Sequence, residues 1–263
     1  MNFPINAKNE RAETLRLLLY NIRYGAGIGR HFHFPLPYAG YLKQTNGNLN
    51  KIVNFIKSVE PDVIGLIEVD SGSYRCQKSN QAEAIAREMQ YEFVYRTKYA
   101  TTSVAQKLPL LKKQGNALLT NREIKSQKFH YLCAGVKRLV IELEFEEFII
   151  FLVHLSLGFR KRQNQLTDLQ SLVRNAEKPV VVAGDFNVLW GVRELEVFLA
   201  VTGLENVNRQ GSPSHPSRAP RRQLDFILCS PQIQTLDFQI LPIGLSDHAP
   251  LIFDFEIAPH QGS

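Results

Sequence analysis

The sequence predicts an α/β protein in which packed sheets carry helices on their outer faces. Three observations lead there. Eight short segments are rich in apolar and β-branched residues, as strands covered on both faces are. Apolar residues recur at helical spacing between several of them. Two of the strand segments are separated only by a pair of glutamates, which reads as a hairpin, and hairpins mixed with helical crossovers belong to layered sheets.

The elements follow in order. "LRLLLYN" (15 to 21) is the first strand, and Leu49, Ile52, Val53 and Ile56 then recur as one face of a helix. "DVIGLIEV" (62 to 69) is a strand, Gln81 to Met89 a helix, and "GNALLTN" (115 to 121) a strand. "LVIELEF" (139 to 145) and "FIIFLVHL" (148 to 155) form the hairpin, turning at Glu146 and Glu147. A helix over Arg162 to Ala176 leads to the strand "VVVAGDFN" (180 to 187), and a helix over Arg193 to Val201 follows. "LDFILCS" (224 to 230) and "PLIFDFEI" (250 to 257) are the last two strands. Residues 24 to 46, with "HFHFPLPY" at 31 to 38, and residues 208 to 223, "NRQGSPSHPSRAPRRQ", carry no regular signal. Irregular loops of this length inside a compact domain are often functional, and the second reads equally as a mobile surface insertion. No linker, repeat or low-complexity segment divides the chain, so one domain is expected over 1–263, with its core at about 15–257.

The formal net charge is +6, so the surface field favours anionic partners. Cys76, Cys133 and Cys229 are odd in number and form no CxxC pair, which fits a reduced compartment better than a secreted disulfide framework and argues against a zinc site. The first residues lack a signal-peptide pattern and no apolar run reaches the length of a membrane span. A soluble, cytoplasmic protein without a transmembrane segment is the expectation, and nothing implies a protein partner.

The informative residues are the polar ends of the apolar strands: Asn21, Glu68, His154, Asp185 with Asn187, and Asp225; Asp247 and His248 precede the last strand. One such end would mean little, because Asp and Asn cap helices and make turns. Six together point to one rim where several strands converge. Glu68, Asp185 and Asp247 are then hard oxygen donors with no thiolate among them, a set suited to Mg²⁺ or Mn²⁺. Such a cluster repels itself unless a cation or a proton neutralises it. His154 and His248 supply imidazoles that work near neutral pH, and an Asp bonded to a His supports its cationic form against a phosphate oxyanion. The chemistry expected is metal-assisted hydrolysis of a phosphate ester by water. "GAGIG" (25 to 29) lacks the GxGxxG spacing of a dinucleotide site, and the absence of a GxSxG elbow argues against a serine hydrolase around Ser246 to His248.

The order "YNIRYG", "DVIGLIEV", "HLSLG", "GDFN", "LDFIL", "SDHAP" resembles the endonuclease/exonuclease/phosphatase superfamily, which includes pancreatic-type deoxyribonucleases, apurinic endonucleases, sphingomyelinases and inositol-phosphate phosphatases. The motifs span residues 15 to 257. The resemblance implies a four-layer α/β sandwich: two mixed β-sheets face to face, flanked by helices. It assigns the metal to Glu68, Asn21 and Asp247, the attacking water to Asp185, and the scissile phosphate to Asn187, His248 and His154, with Asp225 as the carboxylate partner of His248. Where many members carry Gln before the metal-binding Glu, this chain has Ile67. The tyrosine that apurinic endonucleases set near the phosphate has Tyr95, Tyr99 and Arg138 as candidate counterparts.

For the substrate, the resemblance implies a phosphate ester, and DNA or another nucleic acid fits best. "RKR" at Arg160 to Arg162, and Arg218, Arg221 and Arg222, are read as lying in loops beside catalytic strands, where they would neutralise a phosphate backbone. The alternative is an anionic phospholipid or small phosphoester: Leu189 and Trp190 follow Asn187 directly, and exposed aromatics can enter a bilayer interface or stack on bases. His31 and His33 read as surface residues. A catalytically silent binding module of the same fold would be expected to have lost the Glu, the GDFN acid or the SDH histidine; all three are present.

Overall fold

A computed structural model describes residues 13–28, 46–73, 76–97, 113–133, 135 and 137–257. Among the described residues, twelve strands form two mixed sheets. The first holds β1 (Leu15–Asn21), β2 (Val63–Asp70), β3 (Glu92–Thr97), β4 (Gln114–Thr120), β11 (Ile233–Ile240) and β12 (Leu251–Ile257), in the order β11-β12-β1-β2-β4-β3. The second holds β5 (Ser126–Tyr131), β6 (Leu139–Glu144), β7 (Ile149–His154), β8 (Val180–Asp185), β9 (Glu205–Asn206) and β10 (Asp225–Cys229), in the order β5-β6-β7-β8-β10-β9. One pair in each sheet is parallel, β1 with β2 and β7 with β8; the rest are antiparallel. Helices α1 (Asn46–Val59) and α2 (Gln81–Met89) cover the first sheet, and α3 (Phe159–Arg174) and α4 (Glu196–Thr202) the second.

The layering explains the unbroken apolar runs. Successive strand residues face opposite sides, and here both sides are buried. In β1, Leu17 and Leu19 meet Leu152, Ala183 and Phe253 between the sheets, whereas Leu18 and Tyr20 face Ile52 and Ile56 of α1. In β8, Val181 and Ala183 join the central layer, and Val180 and Val182 pack with Leu166 and Leu169 of α3. Each such side chain contributes about 1.5–3 kcal/mol on full burial, so the strand ends that carry the polar residues are held by the whole core. All eight strands expected from the sequence are present, and the hairpin closes where Phe145 N donates to Phe148 O across Glu146 and Glu147.

Two expectations are revised. Arg160 to Arg162 lie in the first turn of α3, which starts at Phe159, and not in a loop. The stretch 208–223 is ordered and stitched to the segment carrying Asp247 and His248: Ser217 N donates to Asp247 O at 2.7 Å and Ala249 N to Ser214 O at 2.8 Å. Residues 29 to 45, with His31 and His33, and Tyr99 lie outside the described residues. Among the described residues no helix is long and apolar enough to cross a membrane.

Candidate active site

The polar strand ends meet along one edge, and strand register is what aligns them. The parallel pair β7 and β8 sets His154 beside Asp185, and the antiparallel pair β8 and β10 sets Asp225 on the other side of Asp185. Gly184 permits the approach of β7 and β8, because a Cβ at that position would lie 2.1 Å from the Val153 carbonyl oxygen. From the facing sheet, Asn21 ends β1 and donates from Nδ2 to Asp185 Oδ2 at 3.2 Å.

Asp185 is the hub. His154 Nε2 lies 3.3 Å and His248 Nε2 4.0 Å from Asp185 Oδ2, and Asn187 N donates to Oδ1 at 3.0 Å. Burial works against ionisation of Asp185, but its bond to His154 and the positive charges of His248 and Lys137 hold it well below the usual carboxylate range. Asn187 follows in a left-handed conformation, φ +52°, which costs an L-residue free energy and is more readily adopted by Asn than by most residues. One of its amide hydrogens goes to Leu155 O at 3.0 Å.

The two histidines are in opposite states. Burial would suppress the charge on His248, yet the Asp225 carboxylate, 2.8 Å from Nδ1 and itself fixed by Ser214 Oγ at 2.6 Å, pushes its pKa up to about 10. His248 is therefore an imidazolium at neutral pH. His154 is completely enclosed, and burial together with the neighbouring Lys137 ammonium pushes it down to about 4, so it is neutral. Its Nε2 lies between Asp185 and Lys137 Nζ.

Glu68 interrupts β2 at an irregularity in its pairing with β4, in a left-handed conformation at φ +58°. Its amide donates to Asn116 Oδ1 at 3.3 Å, and its carboxylate faces Lys137 Nζ at 3.9 Å. Asp247 pairs with Arg23 Nη1 at 2.9 Å and accepts from Ser246 Oγ at 3.2 Å. The donor set suits a hard divalent cation. Asp185, Asp225 and His248 bring ligand atoms within 4.8 Å of one another, as do His215, Asp247 and His248; of the expected metal-binding acids, Asp247 belongs to one of these groups and Glu68 to neither. Lys137 against Glu68 marks a place where positive charge is already favoured.

The residues expected to bind substrate fare unequally. Arg160, Arg221 and Arg222 are exposed, and Trp190 is 77% exposed. Arg162 is corrected: it is 0% exposed, and its guanidinium is consumed by Glu194 Oε2 and by the carbonyls of Ser156 and Leu157. Its triplet neighbours face solvent, but helical rotation turns position 162 inward. Removing one partner of a buried ion pair costs about 3–5 kcal/mol. Arg162→Met is thus expected to lower the urea-unfolding free energy by that order, and Arg162→Met with Glu194→Leu to recover most of it; a single variant as stable as wild type would exclude a structural role.

Tyr95 is also engaged elsewhere, donating to Lys113 O at 2.9 Å. It is Lys137, one residue before Arg138, whose ammonium reaches the histidine and glutamate. Lys137, Ser214 and His215 were not legible as site residues. His215 packs its ring 4.7 Å from that of His248, and the only sequence signal for it and Ser214 was the irregular loop that holds them.

Comparison with known proteins identifies the family and the fold. The family model described as "Endonuclease/Exonuclease/phosphatase family" matches residues 18–248. A UPF0294 protein of Yersinia pseudotuberculosis is 34% identical over 110 residues, 41% of each chain, so this chain spans about two fifths of the length of the curated relatives it matches. Among solved structures, an endonuclease/exonuclease/phosphatase from Beutenbergia cavernae superposes with a TM-score of 0.71 at 16% identity, over 94% of this chain and 72% of that one. A mannosyl-6-phosphatase of Bacteroides thetaiotaomicron superposes with a TM-score of 0.69 at 16% identity, over 92% and 99%. With two six-stranded mixed sheets and a family match that runs from the first strand to His248, the chain belongs to the Endonuclease/Exonuclease/phosphatase family of phosphoric ester hydrolases.

Proposed function

We propose that this chain is a Mg²⁺- or Mn²⁺-dependent phosphodiesterase in which water, aligned by Asp185, attacks a phosphate ester. The observation that carries the reading is the hub at Asp185: an ionised acid flanked by a cationic and a neutral imidazole and by an amide from the opposite sheet. Ionised Asp185 accepts a hydrogen bond from the nucleophilic water and orients it. The His248 imidazolium, steadied by Asp225, opposes charge growing on a phosphoryl oxygen. The second amide hydrogen of Asn187 donates to a remaining oxygen, the Lys137 ammonium adds positive charge to that side, and neutral His154, enclosed between Asp185 and Lys137, positions those two groups. Glu68, Asn21 and Asp247 would hold the cation, which supplies Lewis-acid polarisation of the phosphate when bound.

Glu68→Ala is expected to weaken Mn²⁺ binding, measured by calorimetry, about 10-fold or more, the scale on which altered metal environments act. Unchanged affinity would remove Glu68 from the cation site.

Nucleic acid is the substrate the exposed Arg160, Arg221 and Arg222 favour, together with the net charge of +6. A specific observation favours a second reading, a phospholipid or small phosphoester: Leu189 and Trp190, immediately after Asn187, face solvent. The test is a parallel assay of plasmid, single-stranded DNA, RNA, sphingomyelin and phosphoinositides with Mg²⁺ and Mn²⁺, using Asp185→Asn as the blank. Hydrolysis of the lipids alone would overturn the nucleic-acid reading, and activity that survives EDTA would overturn the metal.

A further inference from the structure

Most of the large apolar side chains exposed among the described residues fall in one stretch of chain. Leu157 (57%), Phe159 (52%), Leu189 (40%), Trp190 (77%), Val192 (38%), Val197 (72%) and Val201 (43%) belong to the β7–α3 connection, the start of α3, the β8–α4 connection and α4. The exceptions, Phe93, Tyr131 and Leu236, are scattered over the edge strands β3, β5 and β11. Helices α3 and α4 pack together, and Phe159, Trp190 and Val197 line one shallow hollow of about 620 Å³ between them. A contiguous apolar surface on a water-soluble fold marks a contact.

This surface is also braced. Glu194, held by the buried Arg162, accepts from Trp190 N at 2.9 Å through its second oxygen, and the Arg162 guanidinium lies 6.0 Å from the centre of the Phe159 ring. The same ion pair thus fixes the tryptophan loop and backs the phenylalanine. Its position is not arbitrary either. Strands β7 and β8 run parallel with His154 beside Asp185, so the two connections that carry Leu157 and Trp190 leave the sheet at the edge where the candidate active site lies.

Arg160, Lys161 and Arg193 are exposed in the same segments. We infer that this surface docks the protein onto an anionic lipid membrane, with Phe159, Trp190, Leu157 and Val197 entering the interface and the three cations meeting headgroups. Leu157, Leu189, Val192, Val197 and Val201 outnumber the two aromatics and give a nucleic acid nothing to stack on, which separates the surface from a base-binding platform. In a two-fold dimer, a self-complementary patch would set its cations against one another, whereas an anionic bilayer complements both the apolar centre and the charge. The inference needs no assignment of the substrate, and its test needs no turnover.

Trp190 is the single tryptophan of the chain and reports directly. With full-length protein and vesicles of phosphatidylcholine containing phosphatidylglycerol, Trp190 emission is expected to shift to the blue and to be quenched by brominated acyl chains, with much weaker binding to phosphatidylcholine alone. Phe159→Ser with Val197→Ser should weaken partitioning about 10-fold or more. Arg160→Glu with Lys161→Glu should weaken it about fivefold or more for each cation lost. Phe159 and Val197 are outside the proposed catalytic groups, and a thermal unfolding midpoint close to that of wild type shows that the serine variants are folded. No spectral response to either vesicle, or partitioning unaffected by the serine pair, overturns the inference. So does a Trp190 response to a single-stranded oligonucleotide in place of vesicles, or a dimer in sedimentation that the serine pair abolishes.

Discussion

Replacing Asp185 with asparagine is expected to cut turnover of bis-p-nitrophenyl phosphate with Mg²⁺ by about 10²–10⁴-fold, the range for a lost acid, base or oxyanion contact. The substitution keeps the size of the side chain and its place at the end of β8, but removes the negative charge that meets Asn21, His154 and His248. The attacking water proposed to be aligned by the carboxylate would instead face an amide that donates on one side. The protein should remain folded, since Val180 to Gly184 and the packing around them are untouched, but with some loss of stability, because the positive neighbours that hold Asp185 ionised lose their anion. A combination of intact thermal unfolding with turnover within a factor of a few of wild type would take Asp185 out of the reaction.

How far this site could be read without coordinates depended on burial. The eight strands found in the sequence are the central ones, covered on both faces, and their apolar runs are unmistakable. The four it missed, β3, β5, β9 and β11, are the four sheet edges. β3 and β11 are largely exposed along their length, β5 buries none of its residues fully, and β9 is two residues long, so none carries a continuous apolar signal. The same physics governs the site. Asn21, His154, Asp185 and Asp225 stand out because each is a polar residue that ends an apolar run, an expensive place for one unless it is partnered. Lys137 ends no such run, and Ser214 and His215 sit in a loop whose proline, serine and arginine content resembles any surface segment. Only tertiary contact reveals that this loop clamps Asp225 and backs His248. Arg162 failed in the opposite direction. A basic triplet looks like a solvated patch in sequence, but α3 presents only part of its circumference to water, and the inward guanidinium found an equally buried glutamate. Charge patterns read in one dimension do not distinguish those faces until the start of the helix is known.

His248→Ala should lower turnover about as strongly as loss of Asp185, about 10²–10⁴-fold, whereas Asp225 acts only through the imidazole it holds. That distinction gives the pair a measurable signature. Asp225 touches His248 Nδ1 with both oxygens, at 2.8 and 3.0 Å, and is otherwise occupied by Ser214, so its side chain keeps the ring oriented and charged with Nε2 directed toward Asp185. Asp225→Asn is expected to cost less than His248→Ala, and adding it to His248→Ala to cost almost nothing more, because residues that work as a unit are strongly non-additive. Losses that multiplied independently would mean that Asp225 meets substrate or cation on its own account, and the geometry would then have to be reread with that carboxylate as a ligand. Substituting Ser214→Ala supplies the intermediate case: it removes the 2.6 Å hydrogen bond to Asp225 while leaving both members of the pair in place. Its penalty should be smaller than that of Asp225→Asn and should likewise vanish in the His248→Ala background, which traces the influence of the irregular loop on the chemistry through one hydroxyl, one carboxylate and one ring.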